Sequence, residues 1–325
     1  DLEEAGIPYE DYRSYIDQAS AGGYDQKLPI AQRFAEGRWP YDPHLYVDNR
    51  IGSLAKERLG RLTGGEEPFL LWASFCGPHP PYDPPPEYLD LEALDDGVEP
   101  IPPEGMELSA EDKRHLAELR RRYRAMIRLI DHQVGQLLDT LEASGKSDDT
   151  LIVFTADHGE MLGDHGRINK NLYYRSSVSI PMALRGPGIP SGARYSGPVE
   201  LTDVTGTILD AAGLNPQKAL SRVSPARSLL PAARAPGTTT VRDHAFSSLA
   251  PGWYMVKDRR HKYVSGPSGD DGRPWQWMID LENDACEQND QSNSDDVAQA
   301  ATSLRDLMLQ TLQRHPAPTV NWLPG

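Results

Sequence analysis

Apolar residues recur at intervals of three and four over residues 109–142, at Leu116, Leu119, Tyr123, Ile127, Ile130, Val134, Leu137 and Leu141. That period predicts the longest helix of the chain. Ser109, with Asp112 three places on, reads as a loose capping box, and Gly145 as the stop. A second helical spacing, Ile51, Leu54, Ala55, Leu59 and Leu62, spans 49–62 and ends at Gly64-Gly65. Two largely apolar runs, 68–75 and 151–154, have the length and composition of strands buried on both faces, as in a parallel sheet covered by helices. Helix 109–142, a Ser-Asp-Asp turn and strand 151–154 make one αβ unit.

Beyond a further apolar segment at 178–184, a short strand is predicted at 199–202. A helix follows over 204–212, capped by Asp203 and closed by Gly213. Residues 215–238, rich in Pro, Ala and Arg, predict a linker or long connection. From Thr239 the texture changes to short runs separated by Gly and Pro: Val241 with Arg242, 253–256, 261–264 and 275–279. These predict antiparallel strands, followed by a helix over 296–315. Residues 1–35 show no clear period and predict a loop-rich approach.

The 325 residues are 25% charged, with a formal net charge of −15, which argues against a nucleic-acid or anionic-membrane partner. An anionic substrate stays compatible, because a bound metal sets the local sign of the field. The 28 Pro and 28 Gly imply many ordered turns. No apolar run approaches the roughly 20 residues that span a membrane. Cys76 and Cys286 are too few for a disulfide framework and read as isolated thiols. The sequence opens on Asp1 without an initiator Met or a signal peptide, so processing or truncation is expected and no localisation is read.

The candidate chemistry sits at 150–189. The run 151–154 leads into Asp157-His158-Gly159, and ligands bind beyond the carboxyl ends of strands in α/β sheets. Adjacent strand side chains point apart, so the backbone must turn for Asp157 and His158 to meet one ion; Gly159 eases that turn. Gly163-Asp164-His165-Gly166 follows, then Lys170, then the 178–184 segment closed by Gly186-Pro187-Gly188. This stretch resembles the C-terminal signature of the sulfatase family, within the alkaline phosphatase superfamily.

The resemblance implies an α/β fold with an alkaline-phosphatase-like mixed sheet flanked by helices. It also implies a small C-terminal antiparallel-sheet plus helix subdomain, here 237–325 after a main domain at 1–236. Asp157 and His158 are implied to bind a divalent cation, Ca²⁺ foremost by resemblance, with Mg²⁺, Mn²⁺ or Zn²⁺ open. Lys170 is implied to contact the sulfate ester. His79, in Pro78-His79-Pro80, matches a family Pro-His-x-Pro element and is implied to act near the substrate's leaving group. Cys76-Gly77-Pro78-His79-Pro80 imitates the first places of the family's Cys/Ser-x-Pro-x-Arg nucleophile motif but lacks the Arg, so Cys76 receives no catalytic role.

The family also uses an early Asp-Asp pair and a formylglycine made from that motif's Cys or Ser. Asp95-Asp96 lies in an acid- and Pro-rich loop, and in Val223-Ser224-Pro225-Ala226-Arg227 the Ser is misplaced, so both elements are expected upstream of Asp1. The implied activity is hydrolysis of an aryl or carbohydrate sulfate ester. The alternatives are a phosphonate monoester or phosphodiester hydrolase of the superfamily, and a non-catalytic sulfatase-like fragment. Asp164 and His165 read as turn residues rather than groups orienting Asp157 or His158. The Arg120-Arg121-Arg122 cluster reads as a solvated face, and Arg175 and Arg185 as partners of surface acids. Substrate choice is expected in loops 20–45 and 83–108; the oligomeric state is not read.

Overall fold

A computed structural model describes residues 4–19, 39–89, 97–220, 225–250, 252–268 and 274–314. Asp95-Asp96, Val223-Ser224 and His315, with parts of the two expected substrate loops, lie outside the described residues. The chain forms two compact units: residues 1–150 with 161–169, and residues 151–160 with 170–325.

The first unit is built on three helices, α1 (Tyr9–Ala19), α2 (Val47–Thr63) and α3 (Ala110–Ala143). The capping reading of α3 is correct: Ser109 Oγ accepts from Asp112 N at 3.0 Å, and Gly145 takes a left-handed φ of +71° just past the end. The buried row of α3 is Leu116, Leu119, Met126 and Leu129, packed on Tyr82, Leu162, Trp39 and Tyr46. Ile127 falls off that row and is exposed. Where α2 meets α3, a Cβ on Gly52 would lie 2.1 Å from Gln133 Oε1, and Gln133 Nε2 donates to Asn49 Oδ1 at 2.7 Å.

Three expectations fail in this unit. The N-terminal segment contains α1 because Tyr12 and Tyr15 pack edge-on against Trp39 at 6.3 and 6.0 Å, a long-range aromatic contact that no local period announces. The 68–75 run is extended, with alternating exposure, yet it has no strand partner among the described residues; Leu70 is 67% and Trp72 72% exposed. Arg120 and Arg122 are buried rather than solvated. Arg120 donates to Leu162 O at 3.0 Å and pairs with Asp164 at 2.7 Å, while Arg122 pairs with Glu118 at 2.7 Å. The turn reading of Asp164 and His165 holds: Asp164 Oδ1 accepts from Ile101 N at 3.0 Å, and His165 N donates to Ile101 O at 2.7 Å.

In the second unit, β1 (Ile152–Thr155) pairs with β2 (Met182–Arg185), Ile152 opposite Arg185 and Thr155 opposite Met182. The pair is antiparallel rather than parallel, and Phe154 is exposed rather than buried, because no further strand among the described residues lies beside this ribbon to cover it. Residues 199–201 form no strand. Asp203, in the first turn of α5 (Thr202–Ala211), does not cap it. Its fully buried carboxylate instead accepts from Glu200 N and Arg227 N, both at 2.9 Å, and pairs with Arg242. Arg242 also pairs with Glu200 at 2.7 Å, which takes Val241 and Arg242 out of the strand expected there. The expected linker holds α6 (Pro216–Leu220) and α7 (Leu230–Arg234), with Leu229 and Ala232 packed on Val241.

The C-terminal sheet is an antiparallel meander, β3 (Ala245–Leu249), β4 (Trp253–Lys257), β5 (His261–Ser268) and β6 (Pro274–Asp280). Side chains alternate across it. Tyr254, Val256, Tyr263 and Met278 pack on Leu304, Met308 and Leu312 of α8 (Ala298–Arg314). Trp253, Met255, Val264, Trp275 and Trp277 pack on Tyr173 and Val178. Cys76 and Cys286 are free, exposed thiols, and no described helix is long and apolar enough to cross a membrane.

Candidate functional site

Asp157 and His158 follow the end of β1 after Ala156, where the chain has left the ladder and the two side chains no longer need to diverge. His158 Nδ1–H donates to the Gly159 carbonyl at 2.8 Å, which leaves Nε2 as the lone-pair nitrogen. That Nε2 lies 3.5 Å from Asp157 Oδ2, while Asp157 Oδ1 accepts the His158 peptide N–H at 2.8 Å. The two atoms are thus a carboxylate oxygen and an imidazole nitrogen placed side by side as a two-donor set for a positive charge. The Asp157 side chain is 81% and that of His158 38% exposed, so both are open to a ligand. The donor set fits a divalent cation that takes imidazole and carboxylate together. It is incomplete: no group of three or more His, Cys, Asp or Glu side chains converges among the described residues.

Gly159 is needed here for a reason different from the expected one. Its φ is not left-handed. A Cβ at this position would sit 2.1 Å from the Ser176 carbonyl oxygen, and the Gly159 amide donates to Ser177 O at 2.7 Å. The backbone beside His158 is thus laid directly on the short helix α4 (Arg175–Val178). Lys170 belongs to the same unit and opens the segment that leads into α4. Asn169 and Asn171 on either side of it adopt left-handed φ of 66° and 77°, a conformation Asn tolerates better than most residues. The Arg175 guanidinium forms no ion pair among the described residues, so the expected surface pair is absent there; its backbone amide donates instead to Glu287.

His79 lies in the first unit, on the loop that follows the 68–75 run. Its Nδ1–H donates to the Pro80 carbonyl at 2.7 Å, leaving Nε2 on the exposed side. The loop is held by two buried acids. Asp48, from the first turn of α2, accepts the Cys76 amide at 2.7 Å and the Gly77 amide at 3.1 Å; a Cβ on Gly77 would meet Asp48 Oδ2 at 2.5 Å. Burial pushes the Asp48 carboxyl up, against the pull of those two N–H groups, and burial followed by the Asp48 charge pushes the Cys76 thiol up. Asp83 accepts from the Tyr15 hydroxyl, and Tyr46 OH stands 3.4 Å away. Burial pushes Asp83 up to about 6 despite those hydroxyls. Sequence reasoning missed both acids, and the available clue was an acid one residue before the expected start of α2.

A family model described as sulfatase matches residues 9–214. The chain is similar to an arylsulfatase of Clostridium perfringens, 26% identical over 294 residues, which cover 85% of this chain and 60% of that protein. The chain therefore spans less than two thirds of that relative's length. A phosphonate monoester hydrolase from Silicibacter pomeroyi has a similar fold, with a TM-score of 0.76 and 21% identity over 97% of this chain and 68% of its own. So has BT4656, solved with its substrate D-glucosamine-2-N,6-O-disulfate, with a TM-score of 0.56 and 24% identity over 65% of this chain and 43% of its own. The architecture is the alkaline-phosphatase-like α/β fold expected from the 150–189 stretch.

Proposed function

This chain belongs to the sulfatase family, and from that premise we propose that the whole protein hydrolyses organic sulfate esters, with an aryl or sugar ring on the leaving oxygen. The observation that carries the reading is the convergence of Asp157 Oδ2 and His158 Nε2 at 3.5 Å, with the imidazole tautomer fixed by the Gly159 carbonyl. Asp157 and His158 would hold a divalent cation, Ca²⁺ foremost by resemblance, and the imidazole keeps Mg²⁺, Mn²⁺ and Zn²⁺ open. Such a cation neutralises charge on the sulfate oxygens. Lys170 adds an ammonium to the non-bridging oxygens, where charge grows as the S–O bond breaks. His79, carrying a proton on each ring nitrogen, keeps Nδ1–H on the Pro80 carbonyl and gives its Nε2 proton to the departing oxygen, becoming the neutral Nδ1–H imidazole. The nucleophile is a formylglycine from a Cys/Ser-x-Pro-x-Arg motif that residues 1–325 do not contain.

A second reading, phosphonate monoester hydrolysis, is favoured by the fold likeness to the Silicibacter pomeroyi enzyme over 97% of this chain. One experiment separates the two: the rates of the complete gene product on 4-nitrophenyl sulfate, glucosamine sulfates and phenyl phosphonate esters. Faster sulfate turnover is expected. Asp157→Asn and His158→Ala are each expected to lower kcat/KM by about a hundredfold or more, since each removes several kcal/mol of charge stabilisation. Preferential phosphonate turnover overturns the sulfatase reading, and undiminished sulfate turnover in both variants overturns the site.

A further inference from the structure

The match to the family model ends at residue 214, yet the C-terminal sheet is tied to the segment that carries Lys170. Three polar groups reach that segment at every second residue. Trp253 Nε1 on β4 donates to the Asn171 carbonyl at 3.0 Å. Lys262 Nζ on β5 donates to the Tyr173 carbonyl at 2.7 Å. Glu287, in the loop after β6, accepts the Arg175 amide through Oε2 at 2.6 Å. Lys262 and Glu287 also pair with each other, and they are only 1% and 2% exposed.

A buried ion pair is a poor way to gain stability, because desolvation offsets most of its attraction. This one spends its remaining hydrogen-bonding capacity on a carbonyl and an amide of one short segment. The tie at Asn171 falls on a residue with a left-handed φ of 77° directly after Lys170, so it holds the chain at the turn itself. The fastened segment runs on into α4, whose Ser177 carbonyl accepts the Gly159 amide beside His158. Around it, Tyr173 packs against Trp253, Trp275 and Trp277 at 6.1, 5.5 and 5.0 Å.

We infer that the C-terminal sheet is a positioning device for Lys170, with Trp253, Lys262 and Glu287 as its positioning residues. None of the three touches the sulfate group. They act by fixing the backbone from Asn171 to Arg175, which sets where the Lys170 ammonium stands. The inference rests on the proposed role of Lys170.

The test uses the complete gene product and two variants. Trp253→Phe removes one N–H and keeps an aromatic ring, while Lys262→Met/Glu287→Gln removes both buried charges together. Each is made in the wild-type and in the Lys170→Ala background. The readouts are kcat and KM on 4-nitrophenyl sulfate, the inhibition constant of inorganic sulfate, and the thermal unfolding midpoint. Trp253→Phe is expected to weaken sulfate inhibition and lower kcat/KM roughly tenfold, as small misplacements of a charged group do. In the Lys170→Ala background the same change is expected to add nothing, because residues acting through one group are not additive. The same loss in both backgrounds, or no loss in a folded Trp253→Phe protein that turns over sulfate, overturns the positioning role. If the double variant fails to fold, Trp253→Phe alone decides. Absence of sulfate turnover by the wild-type protein overturns the functional reading, and this inference with it.

Discussion

Asp83→Asn should make the first unit more stable at neutral pH and leave it nearly unchanged in acid. Asp83 is almost completely buried among tyrosines, and burial raises its carboxyl from the ordinary 3.8 to about 6. Below 3.8 the group is protonated folded or unfolded and has no effect on the balance. Between 3.8 and 6 the unfolded chain releases its proton while the folded chain keeps it, so stability falls as pH rises. Above 6 the folded state carries a buried charge and the loss is complete. Two pKa units correspond to about 3 kcal/mol. Asn cannot ionise, and its carbonyl can still accept from the Tyr15 hydroxyl. Urea unfolding at pH 4 and at pH 7.5 measures the effect. The variant should lie within about 0.5 kcal/mol of wild type at pH 4 and gain about 1–3 kcal/mol at pH 7.5. A variant less stable at pH 7.5, or one with the same offset at both pH values, refutes the reasoning.

Two further substitutions test the second unit. Arg242→Met strands the fully buried Asp203 carboxylate without its cation and should cost about 3–5 kcal/mol, read by chemical denaturation of the second unit. Gly159→Ala puts a methyl group where only 2.1 Å separates it from the Ser176 carbonyl. It should lower the unfolding midpoint and cut sulfate turnover at least about tenfold by displacing His158; a fully active Gly159→Ala enzyme would show that the His158 backbone is free to move.

What could be read in advance was whatever a short window contains. The capping of α3 by Ser109 and the strands around Trp253, His261 and Trp275 all rest on neighbours a few positions apart. What escaped depends on partners far along the chain. Tyr12 and Tyr15 become helical against Trp39, Arg120 is buried to hold Leu162 and Asp164, and Asp203 turns from a cap into the centre of an ionic group with Arg242. Burial of Arg120 contradicts its composition-based reading because three charged side chains in a row look solvated until the turn they neutralise is known. The direction of β1 escaped for a similar reason, since apolarity says that a strand is covered but not which neighbour runs beside it.

The extended run at 69–75 bears on how the protein can be handled. Its backbone donors and acceptors are unoccupied among the described residues, and Leu70 and Trp72 stand out into solvent between half-buried Phe69, Leu71 and Ala73. An uncharged seven-residue stretch of this kind is a ready template for self-association into cross-β stacks. Residues 1–325 produced by themselves should therefore lose yield to aggregation as concentration rises. A lysine at Leu70 or Trp72, acting as a gatekeeper, should restore solubility without touching the chemistry at His158.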